Sequence, residues 1–302
     1  MNGTMHPVIV VGAGPVGMVA AASLVQQGIP VLVLEKSVDL SKESRASTFH
    51  PPTLDMLHDL GFAEALIAQG LKAPTVQYSS TADGLLGTFN FAAISDLTRH
   101  PYRLQAEQFK LTRIALETLR SHPLFAIEFG CEVTGIAQTA ESVTLTALQA
   151  GHEVNFDCSW LIGADGANSI VRRAQDVPFE GFTWPERFLV MTTPVDFTAL
   201  RPGASSVSYV ADPERWYFLL RIVGAWRVMM PVPTEMSDAD ALSDGYVQDS
   251  IRRVVPPEID AAIQHTTLYR VHQRVASSFQ NGRAFLVGDA AHINNPLGGM
   301  GM

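Results

Sequence analysis

The stretch Val8–Glu35 constrains this chain more than any other, and it reads VIVVGAGPVGMVAAASLVQQGIPVLVLE. Val8–Val11 is too short for a helix and β-branched enough for a buried parallel strand. Gly12, Gly14 and Gly17 follow in GxGxxG spacing. In that pattern the first glycine permits a tight turn, the second lets backbone approach a pyrophosphate, and the third lets helix pack on strand. A helix opening near Pro15 would aim its N–H groups and positive dipole end at the phosphate. Val31–Leu34 returns as a second strand, and Glu35 closes it, eighteen residues past Gly17. A carboxylate there accepts from both ribose hydroxyls and repels a 2′-phosphate. The run therefore predicts dinucleotide binding, and by itself leaves FAD and NAD both open. A tight turn in some other α/β protein would leave Glu35 unexplained.

Bulk properties narrow the setting. The chain has 302 residues, enough for one large or two medium domains with ample core. Apolar residues make up 47% and charged residues 17%, a globular balance. A net charge of −9 argues against a phosphate-backbone or basic membrane-docking face. Cys131 and Cys158 are the two cysteines; they fit a reducing cytoplasm as buried core thiols, and no Cys/His cluster has metal-ligand spacing. Val8–Val25 is apolar but lacks a basic flank and is broken by glycine and proline, so it reads as strand–turn–helix rather than as a signal or span.

Further along, Thr53–Leu60 and Ala63–Gln69 have helical spacing, and Val76 and Tyr78 open a strand-like stretch running to Phe91. Gln105–Leu119 is predicted as an amphipathic helix opened by Gln105. Ala126–Phe129, Glu132–Gln138, Ser142–Leu148 and Glu153–Cys158 are predicted as an antiparallel meander, followed by a buried strand at Trp160–Ile162. Phe188–Pro231 reads as a mostly antiparallel sheet, Asp238–Val254 as a helix with Ser237 as N-cap, and Ala284–Val287 as the last strand. The order suggests a nucleotide-binding domain over 1–73, 101–177 and 277–302, interrupted by a second domain over 74–100 and 178–276.

Three more segments bear on the opening motif: Arg45 in SRAST, the run GADG at 163–166 with Arg172, and GDAAH at 288–292 leading to Pro296, Gly298 and Gly299. With GxGxxG and Glu35, the chain resembles the single-component FAD-dependent aromatic hydroxylases, the group of p-hydroxybenzoate and 3-(3-hydroxyphenyl)propionate hydroxylases. The resemblance implies an α/β fold with a Rossmann-like FAD-binding domain of the glutathione-reductase type and a mostly antiparallel substrate domain. It implies FAD as cofactor, held by Gly12, Gly14, Gly17, Glu35, Lys36, Arg45, Gln105, Asp165, Asp289, Pro296, Gly298 and Gly299. Taken alone, Asp165 reads nearly as well as a helix cap, Asp289 has a cap as its lesser alternative, Arg45 reads as a solvated loop residue, and Gln105 as a helix opener. His292 receives no catalytic role.

The implied reaction is hydroxylation of a phenolic ring. NADH or NADPH, bound transiently, reduces the flavin; oxygen adds at its C4a carbon, and the hydroperoxide delivers an electrophilic OH. Pro296 would lie against the isoalloxazine. On the substrate side, Arg215, Tyr217, Leu219 and Arg221 alternate onto one strand face, and Tyr217 with Arg221 is the pair expected to orient a phenol. An edge strand with snorkelling arginines explains the same pattern. Tyr209 and His50 are weaker candidates. Asn295 and Met300 depart from the family's usual residues, and the family continues past Met302 into a helix, so a C-terminal helical part is expected beyond this sequence. Alternatives are another FAD-dependent oxidoreductase of the same fold, such as a reductase, or a truncated flavin-binding protein without catalysis. The partners expected are an aromatic substrate, O2 and NAD(P)H, with no nucleic acid or membrane insertion and with room for a homodimer.

Overall fold

The computed structural model describes residues 5–42 and 47–294, so the expectations for Arg45, Pro296, Gly298 and Gly299 lie outside the described residues. Strand β1, Met5–Val11, is followed by helix α1, Pro15–Gln26, and strand β2, Val31–Glu35. β1 pairs in parallel with β2, Val8 opposite Val31, and on its other side with the strand His152–Gly163, Val8 opposite Trp160. Phe125–Phe129 extends the sheet beyond β2, also in parallel, and Ala284–Leu286 lies parallel to His152–Gly163. Val8 and Val10 join one apolar cluster while Ile9 and Val11 join another, so β1 is buried on both faces. That is why its sequence is an unbroken apolar run instead of an alternating one.

The parallel strands run in one direction, so Val11, Glu35, Gly163 and Leu286 all end at the same edge of the sheet. The turns that follow them are laced together. Gly12 N–H donates to the Leu34 carbonyl at 2.8 Å, Ala164 N–H to Val11 at 2.8 Å, and Val287 N–H to Gly163 at 2.9 Å. Ligands of open α/β sheets bind outside the carboxyl ends of the strands.

Helices α2, Pro51–Asp59, α3, Ala63–Ile67, and α4, Gln108–Leu119, pack with α1 over one face of this sheet. A small sheet joins Thr48–Phe49, Arg103–Gln105 and Leu71–Ala73. A second large sheet is mostly antiparallel and runs from His292–Ile293 through His265–Ala276, Phe179–Thr193 and Ala225–Val232 to Gly84–Asn90. Among the described residues its one parallel pairing is Val207–Ala211 with Thr75–Ser80. The molecule is thus a mixed α/β fold built on several sheets.

Several expected boundaries move. Gln105 does not open α4; it ends a strand whose partners are Thr48 and Leu71, and the helix starts at Gln108. Phe125–Phe129 is not part of the meander, since it pairs with β2, while Cys131–Gln138, Val143–Gln149 and the first half of His152–Gly163 do form one. The two strands expected on either side of Ser159 are one continuous strand. The helix expected at Asp238–Val254 is two, Asp238–Ala241 and Asp244–Arg252, because Ser243 caps the second by accepting from Tyr246 N–H.

Candidate functional site: a cavity at the carboxyl edge of the parallel strands

A cavity of about 870 Å3 opens at the shared strand edge. Its wall gathers Gly12, Gly14, Glu35, Lys36, Asp165 and Asp289, six residues drawn from four separate turns. The three motif glycines do different work. Gly12 has φ +102°, and a Cβ there would stand 2.5 Å from the Ala164 carbonyl oxygen. A Cβ on Gly17 would stand 1.9 Å from the Gly12 carbonyl oxygen, so this glycine lets α1 close against the turn. A Cβ on Gly14 would meet nothing within 4 Å, because it faces the cavity. Gly14 caps α1 without a side-chain acceptor, leaving the first-turn N–H groups and the positive helix end directed at the open space.

Glu35 reaches back into the glycine turn. Its Oε2 accepts from Ala13 N–H at 2.8 Å and its Oε1 from Ser37 N–H at 2.9 Å. Asp165 divides its roles: Oδ2 accepts from Ile170 N–H at 2.7 Å and from Val171 N–H at 3.2 Å, opening helix α5, Ile170–Arg173. Its Oδ1 is buried with no partner among the described residues. A buried acceptor is costly to leave unpaired, and this one belongs to a residue of the cavity wall.

The loop carrying Asp289 is fixed from two sides. Gly288, at φ +58°, packs so closely on Val16 of α1 that a Cβ would come within 2.8 Å. Arg172 is buried; its Nη1 donates to the Ala290 carbonyl at 2.8 Å and its Nη2 to the Ala167 carbonyl at 2.7 Å, with the guanidinium 3.8 Å from the centre of the Phe179 ring. Burial pulls its pKa below the ordinary arginine value. The arginine of the GADG segment is therefore a tie between two motif loops.

Gln105 is fully buried and does not line the cavity. Its Oε1 accepts from Thr48 Oγ1 at 2.8 Å, and its Nε2 has no partner among the described residues. Tyr217 and Arg221 do not reach the cavity either. Tyr217 is 3% exposed in the core beneath the second sheet, where its hydroxyl accepts from Arg201. Arg221 lies over the Trp226 ring, 5.9 Å from its centre. Tyr209, on the opposite face, stacks on Tyr78 at 5.0 Å, and burial raises its pKa. His50 sits at the N-cap of α2. His292 lines the cavity.

Residues that sequence reading passed over also line it. Ile170 and Arg173 face the cavity three positions apart, while Val171 and Arg172 turn inward. Gln108 and Leu111 do the same on α4, and Thr53 and Met56 on α2. The i, i+3 spacing was a usable signal in each case.

The profile of the family described as FAD binding domain matches residues 5–302. The chain belongs to this FAD-binding family. A para-nitrophenol 4-monooxygenase of Pseudomonas sp. strain WBC-3 is 32% identical over 99% of the chain and 74% of its own length. A 3-(3-hydroxy-phenyl)propionate/3-hydroxycinnamic acid hydroxylase of Paraburkholderia xenovorans strain LB400 is 31% identical over 95% of the chain and 45% of its own length. The crystal structure of a p-nitrophenol 4-monooxygenase from Pseudomonas putida DLL-E4 matches with a TM-score of 0.90 at 30% identity, over 99% of this chain and 76% of that one. The chain thus spans about three quarters of the length of the nitrophenol enzymes and under half of the propionate hydroxylase.

The site fits the family's cofactor on its own chemistry. It offers an uncapped helix end and an open Gly14 cradle for a pyrophosphate, a strand-end carboxylate for a ribose, and an Asp165 oxygen with no partner among the described residues. Its volume falls in the range of small-molecule and cofactor sites.

Proposed function

We propose that this protein is a FAD-dependent monooxygenase that hydroxylates a phenolic ring with NAD(P)H and O2. The observation that carries the reading is the single cavity into which Gly14, Glu35, Asp165 and Asp289 converge from four turns. When bound, the flavin supplies the redox chemistry, taking reducing equivalents from NAD(P)H and passing one atom of O2 to an activated ring. The relatives that act on a nitrophenol and on a hydroxyphenylpropionate support a phenolic substrate class.

In this reading the fold is a Rossmann-like FAD-binding domain over 1–73, 101–177 and 277–302, carrying a substrate domain over 74–100 and 178–276. The N–H groups opening α1 hold the pyrophosphate, Gly14 lets it approach, and Gly12 and Gly17 shape the turn. Glu35, with Lys36 beside it, takes the adenosine ribose, and Asp289 takes hydroxyls of the ribityl chain. Asp165 places its Oδ1 toward a donor of the cofactor or of the transient nicotinamide. Gln105, buried outside the cavity wall and bonded to Thr48, supports the flavin site indirectly. For Tyr217 and Arg221, the Arg201 and Trp226 contacts favour a role in holding the second sheet over direct contact with the phenol. No described helix is long and apolar enough to cross a membrane. A reducing cytoplasm suits two free, buried thiols, of which burial pushes that of Cys158 up to about 12. A homodimer completes the reading and is checked by sedimentation.

The test is to purify the protein, measure flavin by its visible absorbance, and follow NAD(P)H oxidation with and without a panel of phenols. Bound flavin and phenol-stimulated oxidation support the reading. Flavin present with oxidation indifferent to every phenol would leave the fold-mate reductase in its place.

A further inference from the structure

On the far side of α2 from the cavity, three potential ligands converge from distant parts of the chain. His58 stands in the last turn of α2, Glu64 in the first turn of α3, and His100 in the connection that leads into Arg103–Gln105. One ligand atom of each lies within 4.8 Å of the other two. His58 and His100 face each other with ring centres 5.6 Å apart, and Tyr102 closes the other side of the His100 ring edge-on at 6.0 Å.

The decisive feature is what holds His100. Its side chain is 6% exposed, and its Nδ1 lies 2.7 Å from Asp55 Oδ1. That contact commits Nδ1 to the carboxylate and leaves Nε2 as the atom that can ligate. A metal-bound histidine characteristically gives its second ring nitrogen to a carboxylate, which fixes tautomer and ring orientation. The geometry points to a divalent transition-metal site of the Zn2+ type, built from His58, Glu64 and His100, with Asp55 orienting His100.

Two imidazoles and one carboxylate suit Zn2+ or Co2+ and not Mg2+ or Ca2+, which take oxygen. Ligand atoms around a tetrahedral Zn2+ stand about 3.4 Å apart, given metal–ligand bonds of about 2.0–2.1 Å. The ligand atoms must therefore draw in from the present spread. They are free to do so, because the His58 and Glu64 side chains are 40% and 82% exposed while only His100 is fixed. Charge favours a cation: Asp55, Asp59 and Glu64 cluster here against Arg99, which already pairs with Asp59 at 2.8 Å. The C-terminal dipole end of α2 adds to the attraction at His58. Three protein ligands leave a fourth position for water. The ion would staple the 95–102 connection to α2, whose Thr53 and Met56 line the cavity.

The spacing H-x5-E followed by a second histidine 36 residues after Glu64 matches no metal motif in sequence, and only the packing of that connection against α2 brings the three together. The test uses the full chain without a histidine tag, stripped with chelator and titrated with Co2+ and then Zn2+. The expected result is one Co2+ per chain with a visible d–d spectrum, displaced by Zn2+, and a rise in Tm with Zn2+. His58→Ala and Glu64→Gln change exposed side chains, and each should weaken binding by more than tenfold. Asp55→Asn should weaken it by about 10- to 100-fold while leaving the ligand set intact. Substoichiometric binding, or one-to-one binding unchanged in both His58→Ala and Glu64→Gln, would overturn the site.

Discussion

The Glu35 carboxylate accepts a hydrogen bond from the Ala13 backbone N–H at 2.8 Å, joining the end of β2 to the middle of the glycine turn. The same group accepts from Ser37 N–H through its other oxygen. Each carboxylate oxygen has two acceptor positions, so one per oxygen is available to ribose hydroxyls without giving up either backbone bond. Glu35 is thus a brace for the turn that keeps acceptor positions open for the proposed ribose. Glu35→Ala is expected to lower FAD affinity by about 1–3 kcal/mol, the scale of lost hydrogen bonds to a charged group. Titrating apoprotein with FAD measures it, and an unchanged Kd would remove the ribose role.

The three glycines should separate experimentally. Gly17→Ala and Gly12→Ala place a Cβ 1.9 Å and 2.5 Å from backbone oxygens, so each should cost about 1–3 kcal/mol or more in denaturant unfolding. Gly14→Ala meets open space at a φ of −66° that alanine accepts, so its fold stability should stay within about 1 kcal/mol. Its FAD affinity should nevertheless fall by more than tenfold, because the methyl would enter the open space proposed for the cofactor. A Gly14→Ala protein with normal flavin content would place the pyrophosphate elsewhere.

These positions were legible in sequence because they are local: turn, helix start and strand end all fall within 28 residues. Gln105 reads locally as a helix opener, whereas its strand exists only by pairing with Thr48 and Leu71, contacts that no local pattern encodes. The alternation through Tyr217, Leu219 and Arg221 was real, but both faces of that strand are buried. Tyr217 and Leu219 pack in one apolar cluster, and Leu220 and Ile222 in another. Periodicity assigned residues to a face without saying which face meets the site. Val133 and Thr134 reach the cavity wall through the meander, a tertiary placement with no sequence signature.

Arg172 joins the Ala167 and Ala290 carbonyls through a planar fork that lysine does not reproduce. Arg172→Lys should cost about 1–3 kcal/mol of stability and lower flavin occupancy, since the Asp289 loop loses its tie. Far-ultraviolet circular dichroism with flavin absorbance checks both. Full occupancy at wild-type Tm would show that Gly288 packing on Val16 suffices.

Asp238 bridges two strands of the second sheet, accepting from Arg187 and, at 2.5 Å, from Arg270. Hydrogen bonds from Arg187 and then Arg270 hold its carboxyl below the usual aspartate range. A depressed folded pKa gives stability that is fully present above the unfolded value of about 3.9 and is lost as pH falls through the folded one. Asp238→Asn should therefore be less stable than the parent at pH 7, with the gap closing toward pH 2. Urea midpoints at the two pH values read this directly, and a gap constant with pH would assign the effect to something other than charge.

The cavity between Gly14 and Asp289 is proposed to seat a flavin that passes oxygen to a phenol. The most direct measurement is a reaction of the FAD-loaded protein with NAD(P)H and a turnover-supporting phenol under 18O2, with the product analysed by mass. One 18O atom per hydroxylated product, lost together with bound flavin in Gly14→Ala, is the result this account predicts. NAD(P)H consumed with all of the oxygen recovered as hydrogen peroxide, and no labelled phenol formed, would contradict it.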